Sequence, residues 1–216
     1  MPLHVLSDNL WFPPVSEAMA DGLLAIGGDL STARLLLAYK NGIFPWYDGE
    51  VPVWWSPNPR FVLFPNELKV SKSMKVLLKR NAFEFTTNKA FAQVIKACKE
   101  KERNGQDGTW ITDDVEKAYN KLHTLGHAHS AEVWLNNELA GGLYGIRMGN
   151  SFFGESMFSH VSNASKYAFI KYVQLLVKEG VSLIDCQVYT EHLESLGAKM
   201  IEREDFMKFI EPGFKD

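Results

Sequence analysis

The chain has 216 residues, of which 46% are hydrophobic and 23% charged, and its formal net charge is −3. These values are ordinary for a globular protein and argue against nucleic-acid binding through overall charge, although a local basic patch stays compatible with it. Two cysteines are too few for a disulfide framework and favour a reducing compartment, so we expect a cytoplasmic protein. The N-terminus, "MPLHVLSDNLWFPP", lacks the basic and apolar regions of a signal peptide, and no apolar run is long enough to span a bilayer.

Residues 1–63 are rich in proline, glycine and tryptophan, and we expect them to form a small N-terminal domain. The clear helix in this segment is "TARLLLAYKN". Ser31 is a good N-cap for it, and Gly42 stands where a left-handed residue follows a helix. The pattern predicts turns for the rest of residues 21–60.

Residues 64–216 are expected to form a second domain, which begins with helices and continues with strands. The predicted helices are "SKSMKVLLKR", "KAFAQVIKACKEKE" and "TDDVEKAYNKLHTLG", the last ending at Gly126. Three strands follow, "AHSAEVWL", "LAGGLYGIRMG" and "NSFFGESMFS", and then the long helix "NASKYAFIKYVQLLVKEG". That helix has few polar positions, so protein should cover most of its surface. The remaining elements are the strand "SLIDCQV", the short helix "TEHLESLG" and the strand "AKMIERE".

Three strands, a long helix, a strand, a helix and a strand is the order of the acetyltransferase-type (GNAT) fold. We therefore predict an α+β protein whose second domain is a mixed sheet flanked by helices. Ordinary members bind coenzyme A with a glycine-rich loop at the start of the long helix. Here that position reads "SMFSHVSNASK", without Gly-x-Gly, although Asn163 or Ser165 can cap the helix. An acyl donor other than acyl-coenzyme A is expected, and a coenzyme A-dependent N-acetyltransferase is the alternative.

The strand "SLIDCQV" carries polar residues inside an apolar run. Because side chains alternate along a strand, Asp185 and Gln187 should share one face and Cys186 the other. Burying even an unpaired amide costs roughly 2–7 kcal/mol. Either this face lines a polar cavity, or both groups are hydrogen-bonded inside a core.

Nine short motifs, in chain order, resemble those of the bacterial leucyl/phenylalanyl-tRNA–protein transferases. They are "GLLAIGGDLS", "GIFPW", "WWSPNPR", "TWI", "GHAHSAEVW", "GGLYG", "GESMF", "NASK" and "LIDCQV…HLESLGA". The resemblance implies an enzyme that moves Leu or Phe, and also Met, from aminoacyl-tRNA to the α-amine of proteins beginning with Arg or Lys. It further implies that these proteins are marked for N-end-rule degradation, and it implies an acetyltransferase-like second domain. We also expect a monomer that needs no cofactor or metal and binds no membrane.

The resemblance also implies roles for individual residues. Asp185 and Gln187 match the proposed catalytic pair, with Glu155 nearby. Asp185 can be a base, an electrostatic stabiliser or the partner of the substrate's cationic side chain. The residues expected to bind the aminoacyl end of the tRNA are Trp46, Trp110, Phe152, Gly154, Ser156, Met157 and Ile184. Of these, the two tryptophans would stack on the terminal adenosine. Leu143 and Phe169 depart slightly from the expected pocket residues.

The segment "SFFGESMF" follows the alternation of a strand. It should place Phe152, Gly154, Ser156 and Phe158 on one side, with Phe153, Glu155 and Met157 on the other. This pattern fits an apolar pocket beside a carboxylate. A bulge at Gly154 would reset the alternation.

Three further groups have alternative interpretations. The basic residues Lys69, Lys72, Lys75, Lys79 and Arg80 either contact phosphates of the tRNA acceptor arm or form a solvated helix face. His123, His127 and His129 are not expected to bind a metal, because Gly126 breaks the helix between them and no fourth ligand is close. Cys186 could pair with His192 as a nucleophile, but a small buried thiol is the favoured interpretation.

Overall fold

The computed structural model describes residues 3–101 and 110–210. Glu102, at the end of the predicted helix "KAFAQVIKACKEKE", and Thr109, in the motif "TWI", lie outside these ranges. None of the helices within the two ranges is long and apolar enough to cross a membrane.

The N-terminal region contains a four-stranded sheet. Its strands are β1 (His4–Leu6), β2 (Leu23–Gly27), β3 (Phe44–Pro45) and β4 (Val53–Trp55), in the order β1-β2-β4-β3. The prediction of turns around the helix was therefore wrong. These strands have only two to five residues, which is too short for a period-two pattern to stand out.

The helix predicted in this region is confirmed as α1 (Thr32–Lys40). The Ser31 hydroxyl accepts a hydrogen bond from the backbone N–H of Arg34 at 3.3 Å. Gly42 follows with a φ of +68°, in the left-handed region that glycine adopts without strain. Both ends of α1 are thus set by local sequence.

The second sheet has seven strands in the order β11-β5-β10-β9-β8-β7-β6. They are β5 (Arg60–Leu63), β6 (Glu84–Thr87), β7 (Ala128–Leu135), β8 (Glu138–Met148), β9 (Ser151–Ser159), β10 (Leu183–Gln187) and β11 (Lys199–Ile201). β10 runs parallel to β9 and antiparallel to β5, which confirms the predicted mixed sheet. β6, which pairs with β7, was not predicted from the sequence.

Six helices flank this sheet: α2 (Lys72–Lys79), α3 (Phe91–Glu100), α4 (Asp113–Thr124), α5 (Ala164–Lys178), α6 (Glu191–Glu194) and α7 (Arg203–Ile210). All but α7 match predicted helices. Asn163 stands at the N-cap of α5 with a φ of +68°, but its side chain makes no capping hydrogen bond, contrary to expectation. Eight of the fifteen residues of α5 are buried, as its sparse polar pattern predicted.

The two regions share a hydrophobic core. Tyr39 of α1, Tyr119 of α4, Phe153 of β9 and Phe206 of α7 belong to one buried cluster. Strand β5, placed in the first domain by the sequence, pairs with β10 and β11 in the large sheet. The pairing of β5 favours a division just before Arg60 over one after residue 63, and the division into two domains stays a prediction.

Candidate active site

Two β-bulges shape the centre of the large sheet. In β9, Ser156 lies opposite Tyr144 and Gly154 lies opposite Gly145, so Glu155 is the extra residue. In β10, Asp185 and Gln187 lie opposite two consecutive residues of β5, so Cys186 is the extra residue. Bulges are common beside active sites because they redirect side chains. Here the Gln187 and Glu155 side chains meet across the two strands.

The bulge in β9 overturns part of the predicted alternation. Phe152 and Phe158 were expected on one side of the strand, but they belong to two different hydrophobic clusters. Phe152 packs in the same cluster as Met157, and Phe158 in that of Phe153. The extra residue at position 155 reverses the faces for every residue after it.

A cavity of about 780 Å³ opens along the ends of β9 and β10. All seven residues predicted to bind the aminoacyl end contribute to its wall, and so do Glu155, Asp185 and Gln187. Leu143 and Phe169, the two departures from the expected pocket, line it as well. The structure thus brings together residues from β3, β9, β10 and α5 that are far apart in sequence. Their roles remain predictions.

The two predicted stacking residues differ in exposure. Trp46 is 37% exposed, and its carbonyl oxygen accepts a 2.6 Å hydrogen bond from the Trp55 indole N–H. Trp110 is buried. Trp46 therefore offers an accessible ring at the cavity, whereas Trp110 forms part of its wall. Trp54, in strand β4 of the first sheet, is fully buried.

Glu155 occupies the centre of a hydrogen-bond cluster. Its Oε1 accepts from the Tyr39 hydroxyl at 2.8 Å and from the Gln187 amide nitrogen at 2.9 Å, and its Oε2 accepts from the Tyr119 hydroxyl at 3.1 Å. Burial of the carboxyl group raises the pKa of Glu155 to about 8, and the nearby charge of Asp185 adds to the increase. The three donors lower the pKa, but burial dominates. Glu155 is therefore a neutral carboxylic acid at neutral pH, and it lies at the cavity.

Asp185 has a different environment. Arg60 holds it through two parallel hydrogen bonds, Nε to Oδ1 at 2.8 Å and Nη2 to Oδ2 at 2.6 Å. Both side chains are almost completely buried. The guanidinium group lies between the rings of Phe44 and Phe206, with its central carbon 4.7 Å from each centroid. Such a paired, stacked arginine stays charged, so this site keeps an ionised carboxylate inside the core.

Gln187 links the two acids. Its backbone N–H donates to Asp185 Oδ1 at 2.9 Å, and its side chain donates to Glu155. Its φ of +63° is unusual for a residue with a long side chain and stores strain. Both interpretations of "SLIDCQV" therefore hold, because the polar pair is hydrogen-bonded and also lines a cavity.

Sequence reasoning did not identify Arg60, Tyr39 or Tyr119 as site residues. Arg60 lies 125 positions from its partner Asp185, and Tyr39 lies 116 positions from Glu155. One signal was present, because Arg60 ends the motif "WWSPNPR" directly before the apolar run of β5. An arginine beside a buried strand needs a partner, and Asp185 was the unexplained buried acid.

The predicted basic patch lies outside the cavity wall. Lys69, Lys72, Lys75, Lys79 and Arg80 are all exposed. Glu67, the acid nearest to them in sequence, pairs with Lys199 at 2.7 Å instead. The patch is therefore accessible, and its role stays a prediction.

The histidines and the thiol have structural contacts. His123 Nδ1 lies 2.8 Å from the Ala128 carbonyl oxygen, and His129 Nδ1 lies 3.1 Å from the Asn88 amide nitrogen. Within the described ranges, no three His, Cys, Asp or Glu side chains are grouped to hold a metal. Cys186 is buried, and burial raises the pKa of its thiol, which disfavours the thiolate that a nucleophile needs.

Comparison with known proteins identifies the family. The model of the family "Leucyl/phenylalanyl-tRNA protein transferase" matches residues 62–211, and that of its N-terminal domain matches residues 28–58. A leucyl/phenylalanyl-tRNA–protein transferase of Christiangramia forsetii is 57% identical over 96% of this chain and 100% of its own length. The corresponding protein of Flavobacterium johnsoniae is 54% identical over 96% and 99%.

Similarity to solved structures is lower. L-PGS from Bacillus licheniformis is 12% identical, with a TM-score of 0.43 over 80% of this chain and 57% of its own. An aminoglycoside acetyltransferase from an uncultured soil metagenomic sample is 13% identical, with a TM-score of 0.39 over 63% of this chain and 92% of its own. The two transferases are identical to this chain at more than half of the aligned positions over nearly its whole length. This similarity is far stronger than the similarity to the solved structures. The chain belongs to the leucyl/phenylalanyl-tRNA–protein transferase family.

Proposed function

We propose that the protein transfers Leu or Phe, and also Met, from aminoacyl-tRNA to the α-amine of proteins that begin with Arg or Lys. The observation that carries this proposal is a cavity in which apolar walls meet the cluster of Glu155, Gln187 and Asp185. The walls suit an apolar side chain, and the polar end suits an ester carbonyl and an amine. Marking the acceptor proteins for N-end-rule degradation is part of the proposal.

The reaction is the aminolysis of an activated ester. An α-amine has an ordinary pKa of about 7.7–8.0, so an appreciable fraction is uncharged at neutral pH. Holding the amine against the ester carbonyl can therefore supply much of the rate enhancement. The site must also stabilise charge in the tetrahedral adduct, which carries an ammonium group and an oxyanion.

Gln187 is suited to guide the attacking amine. Its side-chain nitrogen donates to Glu155, which leaves its amide oxygen free to accept a hydrogen bond from the ammonium of the adduct. The bulge and the left-handed backbone fix the direction of this side chain. We therefore assign Gln187 to direct contact with the amine.

For Asp185 we favour electrostatic stabilisation over anchoring the substrate's cationic side chain. Both of its carboxylate oxygens are engaged by Arg60, and one also accepts from the Gln187 backbone. A substrate cation would have to displace a bidentate, buried arginine. Asp185 instead holds the Gln187 backbone and contributes negative charge near the ammonium group.

We assign the apolar wall to the transferred amino acid and the tryptophans to the terminal adenosine. Phe152, Met157 and Ile184 lie on this wall, where one methylene of substrate is worth only about 1–3 kcal/mol. Stacking on Trp46 would add about 1–3 kcal/mol. The pocket therefore discriminates by shape and accepts several large apolar residues.

The coenzyme A-dependent alternative is disfavoured at the start of α5. Backbone N–H groups there would have to receive a pyrophosphate. The N–H of Ala164 already donates to the Val161 carbonyl at 3.0 Å, and that of Ser165 to the Ser159 hydroxyl at 3.2 Å. These donors are used within the chain.

The direct test is a transfer assay with charged leucyl-tRNA and a peptide that begins with Arg, read by mass. We expect the peptide to gain one leucine in a buffer that contains a chelator and neither nucleotide nor coenzyme A. A peptide beginning with Asp is the matched control and should remain unmodified. Acetyl transfer from acetyl-coenzyme A without leucyl transfer would contradict the proposal.

A salt titration tests whether the basic patch binds tRNA phosphates. Changing Lys72, Lys75 and Lys79 to Ala should weaken leucyl- and phenylalanyl-tRNA binding alike. It should also flatten the slope of log affinity against log salt, by up to about one unit per lost contact. As the control, Met157→Ala should shift the preference between leucine and phenylalanine and leave the slope unchanged. If wild type and the triple variant gave superimposable slopes, the patch would be a solvated helix face that does not bind tRNA.

We place the reaction in the cytoplasm and propose that the enzyme acts as a monomer. The supporting observation is that described residues of one chain are enough to form a cavity containing Glu155, Asp185 and Gln187. Light scattering during turnover would reveal a dimer if this proposal is wrong.

A further inference from the structure

Glu155, Tyr39 and Tyr119 form a closed ring of three hydroxyl or carboxyl groups. Tyr39 contacts Glu155 Oε1, Tyr119 contacts Glu155 Oε2, and the two phenol oxygens are also in hydrogen-bond contact with each other. Both tyrosines are fully buried, so water does not supply missing protons. We name this set the Glu155 ring.

Counting protons decides the charge state of the Glu155 ring. The ring has three oxygen–oxygen contacts, and each needs one proton. An ionised Glu155 leaves only the two phenol protons, so one contact would bring two lone pairs together. A protonated Glu155 provides the third proton, and every oxygen then donates or accepts around the ring. Gln187 completes the arrangement by donating to Oε1.

The groups that face the Glu155 ring act in the same direction. Asp185 on β10 is the nearest other carboxylate, and its charge disfavours a second negative charge on Glu155. The Arg60 guanidinium donates two hydrogen bonds to Asp185, so its positive charge compensates Asp185 and not Glu155. Tyr144 on β8 approaches Tyr119, with ring centroids 5.7 Å apart. Burial raises the pKa of both ring tyrosines, so neither phenol is ionised near neutral pH.

We propose that the Glu155 ring holds one acidic proton in the resting enzyme, and that Glu155 gives this proton to the ribose oxygen that leaves the aminoacyl ester. This inference rests on the proposed transfer reaction. Glu155 is then a catalytic acid at the cavity. Tyr39 and Tyr119 are positioning residues, because they act on the substrate only through Glu155.

The proton balance closes over one turnover. The amine nitrogen forms a bond to the carbonyl carbon, and the bond between that carbon and the ribose oxygen breaks. The ribose oxygen takes the proton of Glu155, and the ammonium of the adduct releases one proton. The ionised Glu155 takes up that proton, so the Glu155 ring ends as it began.

Glu155→Gln separates acid catalysis from a structural role. A glutamine can donate and accept within the ring much as a protonated glutamic acid does, so the fold should be kept. It has no acidic proton to give, so the single-turnover rate of leucyl transfer should fall by about 100-fold or more. Unchanged aminoacyl-tRNA binding would localise the loss to the chemical step. A rate within a few-fold of wild type would overturn the proposal.

The pH profile tests the two tyrosines. With one peptide acceptor, the wild-type rate should decline on the alkaline side as Glu155 loses its proton near pH 8. Each tyrosine shares the protons of the ring with Glu155, so Tyr39→Phe and Tyr119→Phe should each displace this decline by about one pH unit from its wild-type position. Tyr167→Phe is the matched control, since Tyr167 is equally buried but lies outside the ring. Its profile should superimpose on that of wild type, and superimposable profiles for all three variants would refute the shared proton.

A spectroscopic measurement makes the inference independent of the transfer assay. The infrared C=O band of a protonated carboxyl should be present in wild-type protein at neutral pH and absent in Glu155→Gln. If this band is present but no leucine is transferred, the proposed function fails while the protonated ring stands. If transfer occurs and the band is missing, the proposed function stands and this inference fails.

Discussion

The cavity contains two carboxyl groups whose environments are opposite. Asp185 is fully buried, is held by the two parallel hydrogen bonds of Arg60 and is shielded by two aromatic rings. Glu155 is partly exposed to the cavity and is surrounded by neutral donors, two phenols and one amide. One acid is therefore compensated by a permanent positive charge, whereas the described residues that hydrogen-bond to the other are all neutral.

This difference explains how two neighbouring acids can take different roles. A pair of carboxylates a short distance apart would repel each other, and the protein places the countercharge on one of them only. The other is left to keep its proton, as in sites where environment separates the pKa values of an acid pair. The fixed charge can stabilise an ammonium group, while the protonated acid can exchange a proton with the substrate.

The strongest test of this contrast removes the charge of Asp185. Asp185→Asn leaves Arg60 buried without its countercharge, and we expect a loss of about 3–5 kcal/mol in the free energy of unfolding. The measurement is urea denaturation followed by circular dichroism. The double change Arg60→Met with Asp185→Leu removes both charges and should recover most of that stability, with transfer still absent. A single variant as stable as wild type would mean that the ion pair is not compensating a buried charge.

The pH dependence of stability tests the neutral state of Glu155. The pKa of Glu155 is about 8 in the folded protein against an ordinary value of 4.5, so between these pH values the folded state binds a proton that the unfolded state has lost. Stability from this group is complete below about pH 4.5, falls as the pH rises through about 8 and then levels off. The total change should be on the order of 4 kcal/mol.

Denaturation of wild type and Glu155→Gln at matched pH values measures this change. Only the difference between the two curves belongs to Glu155, because other groups titrate in both proteins. The difference should favour wild type more at low pH than at high pH. A constant difference across the range would show that Glu155 is ionised in the folded protein.

The smallest expected effect concerns the residue that joins the two acids. Gln187→Ala and Gln187→Gly both remove the amide, so both should lose transfer to the same extent. Glycine adopts the φ of +63° without strain, and the glycine variant should be more stable than the alanine variant by about 1 kcal/mol. Thermal and urea unfolding of the two variants would check this. If the alanine and glycine variants were equally stable, the positive φ at residue 187 would carry no strain that glycine relieves.

Local signals in the sequence were sufficient for much of the fold. The Ser31 cap and Gly42 define α1, and the runs of strand-forming residues from residue 128 onward define β7 to β10. The sequence did not predict the short strands of the first sheet, β5, β6 or α7, because their positions depend on contacts distant in sequence. For α7, one such contact is the 2.6 Å hydrogen bond from Arg203 Nη1 to the Ser56 carbonyl.

The site was predicted by residue type but not by geometry. Two buried polar residues on one strand drew attention to Asp185 and Gln187, and the family resemblance added Glu155. Arg60 before an apolar run was one signal, but nothing local indicates that Tyr39 approaches Glu155 across more than a hundred positions. The bulges at Glu155 and Cys186 could not be predicted from the sequence either. An extra residue in one strand is identified only from its pairing with the neighbouring strand.

The aromatic rings that enclose Arg60 have a consequence for the synthesis of this protein on the ribosome. One ring is Phe44 in the first sheet, and the other is Phe206 in α7, near the end of the described chain. A nascent chain from which α7 has not yet emerged lacks one side of the arginine's enclosure and leaves the Asp185 pair open to water. Because translation runs from the N-terminus, Phe44, Arg60 and Asp185 all leave the ribosome before Phe206, so the enclosure of the ion pair is completed only when α7 docks.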